Sequence, residues 1–290
     1  MLSITEALAL SKKLTGHSTS SRIDCEVILS AAIEQTRTYL YTWPEKTLSD
    51  HQQKIFLQNL DRRINGEPIA YIVGQKEFWS LPLFVNESTL IPRPESELLV
   101  EVTLELLSDV SAECIPAVKI ADLGTGTGAI ALALASENSQ WQVWGLENNK
   151  NALELAKKNQ QQLDLPNVTL LLSDWFSALS EKESFQKLAQ QFNIIVSNPP
   201  YIDINDKHLQ EGDVRFEPLS ALVADDHGLA DIEIIIRQAS TYLLQSGWLV
   251  FEHGNQQAEA VAGCFKKYGF QNVFTRNDLA GHPRVTGAQL

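Results

Sequence analysis

Clustered histidines, paired cysteines, long apolar runs and positive charge are all scarce in this chain of 290 residues, and each scarcity removes a class of function. The 3 cysteines, Cys25, Cys114 and Cys264, stand far apart with no C-x-x-C spacing, so the pattern specifies neither a disulfide framework nor a zinc cluster. His17, His51, His208, His227 and His282 form no metal-ligand spacing, and no metal is expected. No stretch approaches the roughly 20 apolar residues that span a bilayer, and nothing near Met1 resembles a secretory signal. A soluble cytoplasmic protein without a membrane partner is therefore expected, with a monomer as the default. Basic residues number 23 against 36 acidic ones, a net charge of -13. That balance opposes stable nucleic-acid binding, whose affinity comes from Lys and Arg displacing counterions. A local basic patch around Arg62, Arg63, Lys76 and Arg93 is the exception such a composition still allows.

What is present divides in three. Residues 1–75 carry helical periodicity, with Ala7, Leu8 and Leu10 and then Ala31, Ala32 and Ile33 on apolar faces, and Asp24 as an early cap. Residues 76–95 contain Glu77 to Val85, rich in aromatic and β-forming residues, which read as an exposed hairpin linker. From 96 to 290 a helix to Leu107 is followed by apolar strands alternating with helices, the pattern of a doubly wound, mostly parallel α/β sheet. Strands are expected at Lys119 to Leu123, Gln142 to Glu147, Val168 to Ser173, Asn193 to Ser197, Trp248 to Glu252 and Gln271 to Thr275. The helices between them are expected at Ala129 to Ser136, Lys150 to Leu163, Ala230 to Leu244 and Gln256 to Tyr268, the last capped by Gly269.

Two loops carry chemistry. Gly124-Thr125-Gly126-Thr127-Gly128 follows a strand and opens a helix, where glycines let backbone approach a ligand closely. Taken alone the loop also satisfies G-x-G-x-x-A and does not separate a nicotinamide dinucleotide from S-adenosylmethionine. Glu147 ends the next strand, placed to accept ribose hydroxyls. Asp174 and Trp175 close the third, where a carboxylate accepts from an adenine amino group and an indole covers the ring. Asn198-Pro199-Pro200-Tyr201 follows the fourth strand. Prolyl nitrogens carry no hydrogen, so this loop offers carbonyl oxygens and the Asn198 side-chain oxygen without competing donors, and Tyr201 adds a flat ring. Two acceptors hold one planar NH2 group. Loops at the carboxyl ends of two sheet strands border one crevice near a topological switch point, which sets an activated methyl group opposite an amine or amide. Hydride transfer fits less well, because no histidine follows either loop closely.

These motifs, with Leu90 to Glu97, Ser173 to Ala178, Asp213 to Pro218 and Phe251 to Gly254, make the chain resemble the peptide-chain release factor glutamine methyltransferases (PrmC/HemK-like), class I S-adenosylmethionine-dependent enzymes. The resemblance implies a Rossmann-like catalytic domain behind a small helical substrate-recognition domain. It also implies S-adenosylmethionine as cofactor and, as acceptor, the glutamine amide of a Gly-Gly-Gln loop in release factors. Gly124 to Gly128, Glu147, Asp174, Trp175 and Asn198 would contact the cofactor, and Asn198, Pro199, Pro200 and Tyr201 the glutamine, with Asn198, Pro199 and Tyr201 as the catalytic set. The alternatives are a methyltransferase acting on an exocyclic amine of a nucleic-acid base, which the acidic composition opposes, and a binding module that transfers nothing. Two departures stand out. Glu147 replaces the aspartate of many relatives, and the polar ending Arg284 to Leu290 leads us to expect a frayed or truncated sheet edge. Arg93, Asp213 and Glu217 are expected to dock or order the loop after Tyr201, and His253 to be structural.

Overall fold

In the computed structural model the described residues are 1–108, 118–181 and 191–290, so Cys114 lies outside them. The chain forms two compact units. One comprises Met1–Gln75, Val85–Glu87 and Lys207–Phe216, the other Lys76–Phe84, Ser88–Asp206 and Glu217–Leu290.

The first unit is helical: α1 (Ile4–Ala9), α2 (Ser21–Ile33), α3 (Arg37–Thr42), α4 (Asp50–Ile64) and α5 (Ile69–Val73). Ser3 with Glu6, and Ser49 with Gln52, form capping boxes that satisfy otherwise orphaned N–H groups at the starts of α1 and α4. Leu8, Leu14, Ile28, Leu29, Leu40 and Phe56 meet in its core. Asp24 is not a cap. It lies within the first turns of α2 and accepts from Ser18 Oγ and Ser20 Oγ, both at 2.7 Å, and from Arg63 Nε at 2.8 Å. Arg63 also reaches Asp213 at 3.1 Å, which ties the segment 207–216 into this unit. Two arginines of the expected basic patch are thereby neutralised, Arg63 by Asp24 and Asp213 and Arg62 by Glu67.

In the second unit the hairpin β1 (Gln75–Phe78) and β2 (Leu81–Phe84) turns at Trp79 and Ser80, whose φ values of 51° and 58° put two side-chain-bearing residues in the left-handed region. Only one side of it is exposed, at Glu77, Ser80 and Pro82. Phe78 and Leu83 are fully buried in the core of the sheet unit, where each apolar side chain contributes about 1.5–3 kcal/mol. The buried Asn159 side chain accepts from Phe84 N and donates to Phe84 O and Thr127 O, which joins the hairpin to the glycine loop.

The main sheet contains β3 (Lys119–Leu123), β4 (Gln142–Glu147), β5 (Val168–Leu172), β6 (Phe192–Ser197), β7 (Leu243–Glu252), β8 (Gln271–Asn277) and β9 (Pro283–Gln289), in the order β5-β4-β3-β6-β7-β9-β8. All pairings from β5 to β7 are parallel, and β9 runs antiparallel to both its neighbours. Both faces are covered. Ala121, Leu146, Ile195 and Phe251 turn to one side, and Ile120, Val143, Ile194 and Val250 to the other, as the two-residue period of a strand requires. Helices α6 (Glu97–Ser108), α7 (Ala129–Glu137), α8 (Lys150–Leu163), α9 (Ser177–Glu181), α10 (Ala230–Ala239) and α11 (Ala258–Lys267) complete the unit.

Two expectations fail here. The helix from Ala230 stops at Ala239, not Leu244, because Tyr242 stacks on Phe176 at 4.5 Å and Leu243 joins the sheet beside Phe192. The ending is not a frayed edge either. β9 lies inside the sheet with Val285, Thr286 and Ala288 fully buried, and its small residues are what the position demands. A Cβ added at Gly287 would lie 2.6 Å from the Phe274 ring.

Candidate active site

The strand order reverses direction between β3 and β6, and the two loops of interest leave those strands side by side. Leu123 pairs with Ser197, and Ser197 Oγ donates to the Leu123 carbonyl at 2.7 Å. A cavity opens there. Its wall takes Gly124, Thr125, Gly126 and Thr127 from the first loop, Glu147 from the end of β4, Asp174 and Trp175 after β5, and Asn198 and Pro200 after β6. Gly128, Pro199 and Tyr201 stand outside that wall.

Local chemistry explains the glycine loop. Gly124 and Gly126 have φ of 71° and 55°, in the left-handed region that favours glycine. Gly128 has φ 84° and caps α7, and a Cβ there would press on Leu132 Cδ1 at 2.9 Å, so its role is packing. Glu147, buried at the wall, accepts from Gly126 N and Asn149 N, both at 2.8 Å. Its carboxylate thus shapes the loop and retains lone pairs toward the cavity. Beneath it, Asp122 Oδ2 accepts from Thr125 Oγ1 at 2.6 Å and Ala131 N at 3.2 Å. Burial pushes the Asp122 carboxyl up to about 7 against those two hydrogen bonds, with the Glu147 charge adding to the rise.

The acceptor side is built differently. Asn198 Nδ2 donates to Ser96 Oγ at 3.2 Å, and Ser96 is itself part of the wall. Behind the loop, the Tyr201 hydroxyl faces Glu252 Oε1 at 3.4 Å, and burial followed by the Glu252 charge raises its pKa. The expected stacking platform is therefore turned away from the cavity. Gln257 Nε2 donates to the carbonyls of Tyr201 and His227, both at 3.0 Å, while its Oε1 accepts from Gly254 N. Gly228 packs so tightly on this loop that a Cβ would fall 2.0 Å from the Tyr201 carbonyl oxygen. Arg93 pairs with Glu217 at 2.6 Å and so belongs to the frame of the site, not to a free cationic patch. His253 is fully buried, donating from Nδ1 to the Gly254 carbonyl and accepting at Nε2 from Thr286; burial lowers its pKa and keeps it neutral. Sequence reasoning missed Ser96, Glu252, Gln257 and Asp231, the last lining the wall beside Asp174 with a pKa raised by burial and then by that neighbouring charge. Only Ser96 and Glu252 carried a signal, because both sit within motifs of the family resemblance.

Comparison with known proteins decides the family. A PrmC N-terminal domain matches residues 7–74 and a methyltransferase domain residues 116–278. The release factor glutamine methyltransferase of Shewanella oneidensis is 48% identical over 94% of this chain and 91% of its own length, and that of Escherichia coli 48% identical over 93% and 92%. The chain belongs to the release factor glutamine methyltransferase family. It is an enzyme of the class I methyltransferase fold. Among solved structures, the human Mettl16 catalytic domain in complex with an RNA hairpin shares that fold at a TM-score of 0.55, covering 86% of this chain and 84% of its own at 14% identity. The human methyltransferase 10 domain containing protein aligns with a TM-score of 0.53 over 73% of this chain and 88% of its own, at 17% identity. Among the described residues of this methyltransferase no helix is long and apolar enough to cross a membrane.

Proposed function

We propose that this methyltransferase transfers a methyl group from S-adenosylmethionine to the side-chain amide nitrogen of the glutamine in a Gly-Gly-Gln loop of peptide-chain release factors. The observation that carries this reading is the single cavity bordered by both loops, whose parent strands are paired in register. The donor set fits the cofactor: left-handed glycines that expose backbone, a buried carboxylate at the end of β4, and an indole beside a carboxylate after β5. Gly124 to Thr127 would lie along the cofactor, Glu147 would accept its ribose hydroxyls, and Asp174 and Trp175 would take the adenine. Gly128 would hold the turn. When bound, the cofactor supplies a methyl group made electrophilic by its sulfonium.

The protein's own task is orientation. A carboxamide nitrogen is a weak nucleophile because its lone pair is delocalised into the carbonyl. Asn198 Oδ1, on the cavity wall, accepts one N–H bond of the substrate amide, the carbonyl of Pro199, which stands outside that wall next in the loop, would accept the other, and the fixed φ of Pro199 and Pro200 keeps those acceptors in place. Near-attack positioning of this kind is worth several kcal/mol, up to about 7–11 in favourable cases. The nitrogen becomes acidic only as the methyl adds, so its proton leaves late, to a backbone acceptor or water, and no general base is required. Tyr201 supports the loop through its contact with Glu252. The helical unit is the part of the chain that recognises the release factor, in the cytoplasm.

Mass spectrometry of recombinant release factor incubated with this protein and S-adenosylmethionine tests the reading. One added methyl on the Gly-Gly-Gln glutamine is expected. Transfer instead to adenine in DNA or RNA offered in parallel would replace this reading with base methylation.

A further inference from the structure

The loop from Asn198 to Tyr201 is stiff in itself but has few ties of its own. Pro199 and Pro200 have no N–H with which to bind the sheet, so the place of their carbonyls depends on what holds the two ends. The near end is secure. Ser197 is in register with Leu123 and Phe251, and its hydroxyl donates to the Leu123 carbonyl. Beyond the far end, Ile202 N donates to the Leu222 carbonyl and the Ile202 carbonyl accepts from Ala224 N, which ties the chain to another loop and not to the sheet. The link to the sheet is made at the Tyr201 carbonyl, which accepts from Gln257 Nε2 at 3.0 Å.

Gln257 stands between the end of β7 and the start of α11, and the direction of its carboxamide is unambiguous. Gly254 N–H, which only donates, meets Oε1 at 2.8 Å, and the Gln257 N–H returns a bond to the Gly254 carbonyl at 2.9 Å. The amino end is thereby turned toward two carbonyls, those of Tyr201 and His227, both at 3.0 Å, and each amide hydrogen has its acceptor. The second of these carbonyls belongs to a turn of costly backbone. Asp226, His227 and Gly228 have φ of 52°, 53° and 83°, the left-handed region that residues with a Cβ avoid. His227 Nδ1 also lies 3.0 Å from Asp203 Oδ2, two residues past Tyr201. The turn sets Gly228 so close that a Cβ there would lie 2.0 Å from the Tyr201 carbonyl oxygen and 2.7 Å from Gln257 Nε2. Three segments remote in sequence therefore converge on one carbonyl, and Gln257 is the side chain that joins them.

We infer that Gln257 is a positioning residue for methyl transfer: by bridging the Tyr201 carbonyl to the left-handed turn at 226–228, it fixes the far end of the acceptor loop and with it the groups that hold the substrate amide. The inference rests on the reading of Asn198 and Pro199 as those groups. Gln257 takes no part in the cavity wall and acts through the loop.

The test measures single-turnover methyl transfer over a range of release factor concentrations, with cofactor affinity by calorimetry, for Gln257→Leu, Gln257→Glu and Asn198→Ala. Rates are counted per cofactor-binding chain, so that loss of folded protein does not imitate loss of transfer. Gln257→Leu keeps bulk and removes the side-chain bonds to Gly254, Tyr201 and His227, whereas Gln257→Glu keeps the acceptor for Gly254 N–H and turns lone pairs toward the two carbonyls. Each is expected to lower the maximal rate about tenfold, short of the roughly 100-fold that a displacement of about 1 Å can cause, while cofactor affinity and the half-saturating release factor concentration stay within about twofold. An unchanged maximal rate in either variant, a loss confined to the release factor concentration required, or a cofactor affinity that falls in step with the rate each overturns the inference and leaves Asn198 in its role. An unimpaired Asn198→Ala would overturn that role itself, and the inference with it.

Discussion

The two sides of the cavity are held by opposite means. On the glycine side, neighbours in sequence and in the sheet do the work: Gly124 N donates to the Leu146 carbonyl, Thr125 to Asp122, and Gly126 to Glu147. On the acceptor side, Asn198 to Tyr201 are stiff in themselves but are aimed by groups far along the chain, among them Ser96, Glu252, Gln257 and Gly228. A ligand that many folds bind is served by a local motif. A substrate amide that must be presented in one orientation requires a frame built from the whole domain.

Removing the acceptor is the strongest way to test this contrast. Asn198→Ala should lower turnover about 100-fold, the scale seen when one oriented hydrogen-bonding group is lost from a reacting centre. Cofactor affinity measured by calorimetry should barely move. A parallel loss of both would show that Asn198 shapes the cofactor side and would erase the distinction.

Next in size is Glu147→Ala, which removes the carboxylate from the ribose position and also frees Gly126 N and Asn149 N. Cofactor affinity should fall by roughly 10–100-fold, from about two charge-assisted hydrogen bonds, while turnover at saturation changes far less. A loss confined to turnover would contradict the assignment.

Asp122 provides a pH-dependent test. Its folded pKa of about 7 exceeds the ordinary 3.8, so between those values the folded protein holds a proton that the unfolded chain has released. The resulting contribution makes stability fall as pH rises from about 4 to about 7 and flatten above. Asp122→Asn should remove that slope from the thermal midpoint measured across the range, and an unaltered slope would assign it to other groups.

The smallest effect is expected for Tyr201→Phe. The lost contact is long, 3.4 Å, and the ring stays in place, so turnover should remain within about twofold. A larger defect would move the phenol from frame to chemistry.

What could be foreseen follows the same division. Glycine spacing, the acid closing β4 and the alternation of strand and helix are short-range signals, and they place β3, β4, β6 and their loops well. The burial of the hairpin could not be foreseen, because Phe78 and Leu83 find their partners across the sheet unit. Ser96 and Asn198 are separated by 102 positions and Arg63 and Asp213 by 150, and periodicity carries no information at such distances. The ending was misread for a related reason. Thr286, Gly287 and Ala288 look too polar and too small for a strand until Phe274 and Val250 are seen closing on Gly287.

That last segment also sets the order in which the molecule can be finished. β9 enters between β7 and β8, although it follows both along the chain, and among the described residues β8 pairs with no other strand. During synthesis the sheet must wait with an open seam until residues 283–289 clear the ribosome, and β8 is a bare edge open to mispairing meanwhile. Closing that seam supplies Val285 and Thr286 as partners for Glu252 and Phe251, so the strand that carries the carboxylate facing the Tyr201 hydroxyl is zipped up last.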